Sequence, residues 1–381
     1  MSKNLADKVL TDILNATALP NVISFAGGLP APESFPVNIV KNLAVEALDT
    51  KGANLLQYSR AAGLDSFRQT LAEYVKSKQI STTASNIGVT TGSQSAAYII
   101  AKQFIKPNMR VLVESPTYLA ILPIFSSFGA EIIEIKTEND GINIEHYEEL
   151  LKQGESVTYI MPNFHNPTGI TTSQDKRTKI AELIKKYNTL LIEDDPYNEL
   201  RYSGQPLQPI YCDAPENVIY LGTFSKILSP GLRVGYFIST TEIVSKLAST
   251  AQMIQLHTSN LTQAIAELYV AKGLLTEHLP KIINLYQKRL DTMVKELAPL
   301  TQQGFEINKP QGGMFLWVKL EKDITGEALY EKLKQKGVYI VPGEVFFPNP
   351  QDGKGFIRLN FTNVAEDKIV EGCKIIRESL G

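Results

Sequence analysis

With 381 residues, 43% hydrophobic and 20% charged, the chain has ordinary globular composition and exceeds what one core usually serves, so two packed units are expected. Lys plus Arg (38) nearly balance Asp plus Glu (40), which excludes the basic field that recruits nucleic acid or anionic membrane and leaves small molecules as the expected partners. Cys212 and Cys373 form no CxxC, and His146, His165, His257 and His278 lack HExxH or His-x3-His spacing, which argues against a disulfide framework and against a metal site.

Residues 1–14 mix charges into a helical pattern with no apolar stretch of signal-peptide length, and no later run approaches a membrane span, so a cytoplasmic location is expected. This helix and the Gly27-Gly28-Leu29-Pro30 turn are assigned to a segment 1–38 that packs with the smaller unit and the cleft. Between about residues 86 and 238, short apolar runs alternate with amphipathic helical stretches, the signature of a parallel α/β sheet. Seven runs read as strands: 87–91, 110–114, 131–135, 156–161, 189–194, 218–222 and 235–238. Strands buried on both faces look like this, because neither face needs polar side chains. A helical pattern over 261–297 leads to Pro299, after which 313–319 and 355–361 read as strands around a helix over 326–336. The expected fold is α/β: a large domain (39–275) with a mostly parallel seven-stranded sheet, plus a smaller α+β domain (276–381).

In an open parallel sheet, ligands sit beyond the carboxyl ends of the strands, so function is sought just after each predicted strand. After 87–91 come Gly92, Ser93 and Gln94, a glycine turn and small polar residues opening a helix whose free amides attract an anion; a plain capped helix start reads the same way. After 156–161 a stiff loop, 162–169, presents Asn163 and Asn166 between prolines, although Asn-Pro is also common loop punctuation. After 189–194 stand Asp194 and, three residues on, Tyr197; a strand-end acid is also a frequent helix cap. After 218–222 come Thr223, Ser225 and Lys226, followed by Arg233. A lysine ending a buried strand is unusual, and desolvation frees its neutral amine for Schiff-base chemistry; a solvated loop lysine is the bland alternative. Arg358 lies inside the alternating segment 355–361, where a guanidinium meets a carboxylate in bidentate fashion or serves a structural ion pair.

Together these residues supply a phosphate cradle, a Schiff-base lysine, a ring-nitrogen acid and a carboxylate arginine, the four parts that pyridoxal 5′-phosphate chemistry needs. The chain resembles the fold-type I, class I/II aminotransferases over essentially its whole length, in particular the branch with 2-aminoadipate, kynurenine and aromatic aminotransferases. The resemblance rests on Phe25-Ala26-Gly27-Gly28-Leu29-Pro30, Leu56-Gln57-Tyr58-Ser59, Thr91-Gly92-Ser93-Gln94, Ser115-Pro116-Thr117-Tyr118, Asn166-Pro167-Thr168-Gly169, Asp194-Asp195-Pro196-Tyr197 and Gly222-Thr223-Phe224-Ser225-Lys226. It implies that Ser93, Gln94, Thr223, Ser225 and Arg233 bind the phosphate and that Tyr118 stacks on the ring. It also implies that Asn166 and Tyr197 bond the ring's phenolic oxygen, that Asp194 pairs with the ring nitrogen, and that Lys226 carries the cofactor and shuttles the proton. Arg358, Asn166 and the Gly28 backbone are implied to hold the substrate carboxylate. Tyr58 is implied to reach the phosphate site of a second subunit, hence a homodimer with sites at the subunit interface.

Two positions depart from the commonest pattern: Thr223 stands where serine is frequent, preserving the hydroxyl, and His165 where glutamine often precedes Asn-Pro, which is read mainly as structural. Met314, Phe315 and Trp317 read as core before cleft, and 345–347 as a border of the side-chain pocket. The expected activity is transfer of an amino group from an L-amino acid to a 2-oxo acid, with 2-oxoglutarate as the expected acceptor, by a ping-pong mechanism. A C–S or β-lyase on the same scaffold would use almost the same cofactor residues. A ligand-sensing module is disfavoured by the fewer than forty residues before Gly27, which leave no room for a winged helix, and by the neutral charge balance.

Overall fold

The computed structural model describes residues 22–380, with Leu5, Lys8, Val9, Thr11 and Asp12 of the opening segment; these five are helical, and the rest of the helix expected over 1–14 lies outside the described residues. Among the described residues no helix is long and apolar enough to cross a membrane.

The main sheet has eight strands: β1 (Ile87–Thr90), β2 (Arg110–Ser115), β3 (Glu131–Glu138), β4 (Gly141–Ile142), β5 (Ser156–Ile160), β6 (Leu190–Asp194), β7 (Val218–Thr223) and β8 (Gly235–Ile238). Their order is β1-β8-β7-β6-β5-β2-β3-β4. The run from β7 through β6, β5 and β2 to β3 is parallel, whereas β8 lies antiparallel between β1 and β7. All seven expected strands are present. The correction is the eighth: β4 is a two-residue return pairing antiparallel with the end of β3. Strands β1, β5, β7 and β8 are buried at every residue, which is why they read as unbroken apolar runs. Because β1 shares the direction of β7, the carboxyl ends of β1, β2, β5, β6 and β7 meet along one edge of the sheet.

The helix expected over 261–297 is two helices, Asn260–Ala271 and Leu274–Leu297, parted at Gly273, whose φ of 72° ends the first in left-handed geometry. The expected division at 275/276 falls within the first turn of the second of these, and that at 38/39 within the helix Val37–Lys51. A separate antiparallel sheet holds β9 (Glu306–Ile307), β10 (Phe315–Lys319), β11 (Val341–Pro342) and β12 (Phe356–Asn360) in the order β9-β10-β12-β11. In its register Trp317 faces Arg358 and Phe315 faces Asn360. Alternation along each strand then puts Phe315, Trp317, Arg358 and Asn360 on one face. The N-terminal strap joins this side of the molecule: Ile23–Ser24 pairs in parallel with Val338–Tyr339, and Asn360 N donates to Phe25 O at 2.7 Å.

Candidate active site

Asp194 closes strand β6 and is 5% exposed. Tyr159, from the neighbouring β5, donates to its Oδ2 at 2.6 Å, while Oδ1 is buried without a partner among the described residues. Burial raises its carboxyl to about 7, against the Tyr159 bond and with some help from Asp195. The adjacent Asp195 differs: Asn163 and Asn198 donate to its two oxygens at 2.9 and 3.0 Å, and Tyr220 adds a bond of 2.7 Å. The strand end therefore offers one saturated acid and one acid with an open, desolvated acceptor.

Lys226 follows the end of β7, and its Nζ donates to Gly28 O at 2.8 Å. Burial, with the charges of Arg233 and Arg358, lowers its ammonium to about 8. Its amine is thus within reach of the neutral, nucleophilic form near physiological pH. Around it Thr223 Oγ1 donates to Ser225 Oγ at 3.0 Å, and Arg233 Nη1 reaches Ser225 Oγ at 3.4 Å and Nη2 reaches Thr91 O at 3.2 Å. Arg233 lies across Gly92: a Cβ there would meet its Nη2 at 2.3 Å, and Gly92 also holds φ at 87°. The backbone angle favours glycine here, and a larger residue would also displace the guanidinium. The helix Ser93–Phe104 starts immediately after with no side-chain cap at Gly92, and the N-terminus of such a helix attracts an anion.

A cavity of ≈ 170 Å³ gathers these groups: Ser93, Gln94, Tyr118, Asp194, Tyr197 and Lys226 line it with Thr223, Ser225 and Arg233. Asn166 adjoins Tyr197 by a side-chain hydrogen bond, and burial raises the Tyr197 phenol well above its ordinary range. Arg358 is 3% exposed; it donates from Nη1 to Asn166 Oδ1 at 2.8 Å and from Nη2 to Ala26 O at 2.6 Å. Its guanidinium lies 4.2 Å from the Phe315 ring centre and 4.9 Å from that of Phe346. Burial lowers it to about 10; Nε is unpartnered and, among the described residues, no carboxylate pairs with it. A buried arginine held only by carbonyls and aromatic faces is a ready receptor for a carboxylate brought by a ligand.

The remaining expected residues fall as follows. Gly28 sits in the cleft, where a Cβ would touch Phe315 at 3.0 Å. Tyr58 does not join the cavity: it is 77% exposed, edge-on to His257. Met314 is core, but Phe315 lines the cleft through Arg358 and Tyr197, and Phe346 joins it. His165 is buried behind the cavity, between Glu114 and Thr168. Sequence reasoning missed Tyr159 and Ala26: the first acts across a strand pair, the second by its carbonyl, and neither leaves a motif.

The donor set fits pyridoxal phosphate. The orphaned Oδ1 of Asp194 suits a ring N–H, the amides and Arg233 around Gly92 suit a dianion, and the Lys226 amine lies between them. The sequence model for "Aminotransferase class I and II" matches residues 21–376. The chain is 41% identical to aromatic-amino-acid aminotransferase 1 of Thermococcus litoralis, covering 97% of this chain and 91% of that protein. It is 32% identical to 2-aminoadipate transaminase of Thermus thermophilus, over 97% and 93% of the two chains. Its fold superposes on the crystal structure of Pyrococcus horikoshii kynurenine aminotransferase with a TM-score of 0.92 at 39% identity, over 97% and 93% of the chains. The chain belongs to the class I and II aminotransferases and is a pyridoxal phosphate-dependent transaminase.

Proposed function

We propose that this enzyme moves the amino group of an L-amino acid, of the aromatic, 2-aminoadipate or branched aliphatic kind, to a 2-oxo acid, with 2-oxoglutarate as the acceptor, in a ping-pong sequence. The buried Arg358, without a carboxylate of its own, is the observation that carries this reading. One guanidinium fork can hold the α-carboxylate of donor and acceptor in turn. Amino and oxo acids thus share one site.

When bound, pyridoxal phosphate supplies the electron sink for the substrate Cα. Lys226 would carry the cofactor, and its free amine would take the proton from the substrate Cα and return one, its lowered basicity suiting both duties. Asp194 accepts the ring N–H at Oδ1 and keeps that proton in place. Tyr197 and Asn166 hold the phenolic oxygen; Tyr118 covers the ring; Ser93, Gln94, Thr223, Ser225 and Arg233 hold the phosphate. Asn166 and the Gly28 backbone help Arg358 orient the substrate. Tyr58, exposed beside Leu56 (75%), completes the phosphate site of a second subunit, and the exposed apolar residues there support a homodimer. The unpaired Cys212 and Cys373 support a reducing, cytoplasmic setting.

The test is a donor panel of aromatic amino acids, 2-aminoadipate, kynurenine, leucine and methionine, each with 2-oxoglutarate, following glutamate. Glutamate from at least one class with parallel double-reciprocal lines is expected. Pyruvate from cysteine or cystathionine, with no glutamate from any donor, would replace this reading with a lyase.

A further inference from the structure

Two loops flank the cavity, one after β2 bearing Tyr118 and one after β5 bearing Asn166. Beneath them lies a chain of polar groups that the chemistry above does not use. Glu114, the penultimate residue of strand β2, and His165, immediately before Asn166, are both buried. Glu114 Oε2 accepts from Met161 N at 2.7 Å and stands 3.3 Å from His165 Nε2, a buried nitrogen that makes no hydrogen bond among the described residues. On its far side His165 Nδ1 lies 2.9 Å from Thr168 Oγ1, which also accepts from Ile170 N at 3.3 Å. The backbone of the same loop folds on itself, His165 N to Ile170 O at 2.8 Å and Gly169 N to His165 O at 2.6 Å.

We propose that Glu114, His165 and Thr168 are positioning residues, a polar staple that, through the Met161 and Thr168 bonds and the Glu114–His165 contact, ties the loop of Asn166 to the strand end leading to Tyr118 and so fixes the reach of Asn166 to Arg358. The proposal rests on the role given to Asn166 above. Proton bookkeeping supports the staple. Burial raises the Glu114 carboxyl to about 8 and lowers the His165 imidazolium to about 3, so at neutral pH a carboxylic acid meets a neutral imidazole. The acid hydroxyl then faces the unprotonated Nε2 across 3.3 Å, an uncharged contact in place of a buried ion pair, while Nδ1–H donates to Thr168. The other ionisable groups around it are committed elsewhere: Tyr159 to Asp194, and Arg177 to Asn163 Oδ1 and Pro162 O at 2.7 and 2.8 Å.

Glu114→Gln keeps the shape of the side chain but can serve only one of Met161 N and His165 Nε2 from the place of Oε2, so it is expected to raise KM for donor and acceptor about threefold, less than Glu114→Ala does. Glu114→Ala and His165→Phe each raise both KM values about tenfold, with kcat and cofactor retention less affected, and the double variant is no worse than the poorer single one. Thr168→Val, at the part-exposed end, gives a smaller rise of the same kind and serves where Glu114→Ala does not fold. Asn166→Ala is the reference: if it leaves KM unchanged, the role of Asn166 fails. If Asn166→Ala raises KM while Glu114→Ala does not, or if Glu114→Gln is as damaged as Glu114→Ala, or if the two single effects add, the staple is wrong.

Discussion

Lys78 and Lys226 are interior lysines close to the same strand ends, each with tyrosines and an aspartate nearby, and their fates are opposite. Lys78 Nζ pairs with Glu199 Oε1 at 2.6 Å and donates to Tyr220 Oη at 3.3 Å, while Tyr74 donates to the same glutamate. Burial works against its charge, but Glu199, Tyr236 and Asp195 outweigh it and hold the ammonium above its ordinary range. A cavity of ≈ 320 Å³ beside Lys78, Glu199 and Arg201 exceeds the cofactor cavity, yet its central ion pair is closed on itself. Lys226 instead meets one carbonyl and two arginines, and burial wins. A lysine inside a protein becomes a nucleophile when the fold withholds an anion from it, and a strut when the fold provides one.

Exchanging the two lysines' losses tests that contrast most severely. Lys226→Ala should lower turnover by about 10³-fold or more and abolish the borohydride-reducible link to the cofactor, read by mass spectrometry. Lys78→Met should keep the link and lose stability, since breaking a buried pair costs about 3–5 kcal/mol. A cofactor adduct on any other lysine would undo the assignment.

Next in size is the pair of adjacent aspartates. Asp194→Asn should reduce kcat by about 10²-fold, because an amide cannot hold the ring proton as a carboxylate does, with little change in Tm. Asp195→Asn, which disturbs three bonds, should mainly lower Tm, by an amount reflecting about 1.5–3 kcal/mol. Equal kcat losses in the two variants would show that the open oxygen of Asp194 is not what matters.

Arg358→Ala should cost about a hundredfold in kcat/KM while the bound cofactor spectrum survives, and Arg358→Lys should recover little, because an ammonium lacks the planar fork. Recovery by lysine to within a few fold would remove the bidentate account.

The smallest effect is on pH. With Lys226 near 8, protonated below and neutral above, about one-tenth of the amine is free at pH 7 and nearly all at pH 9. Attachment of cofactor to the apoenzyme should therefore quicken about tenfold between these values and then level. A flat profile would mean that the amine is already free, or still paired, at neutral pH.

The strand ends were legible because buried parallel strands print unbroken apolar runs and their sequels carry Gly92, Asn166, Asp194 and Lys226. The two-residue β4 was not, since so short a return has no period to read. Nor was the break at Gly273, where the helical apolar pattern continues across a glycine that any reading tolerates. Glu114 with His165, and Lys78 with Glu199, escaped for another reason: each pair lies 51 or more residues apart, and a long-range bond between common residue types leaves no local trace. Phe315 read as core before cleft because an aromatic at strand spacing looks the same in either place.

The strap of residues 25–30 meets the cleft through its main chain: Phe25 O takes Asn360 N, Ala26 O takes Arg358 Nη2 and Gly28 O takes Lys226 Nζ. Carbonyls are inherited whatever side chain a codon specifies. Selection can therefore rewrite the strap's side chains toward a new substrate while the arginine stays where it is, provided Gly28 stays small enough to clear Phe315. On the role proposed for Arg358, specificity can drift without the carboxylate anchor having to be evolved again.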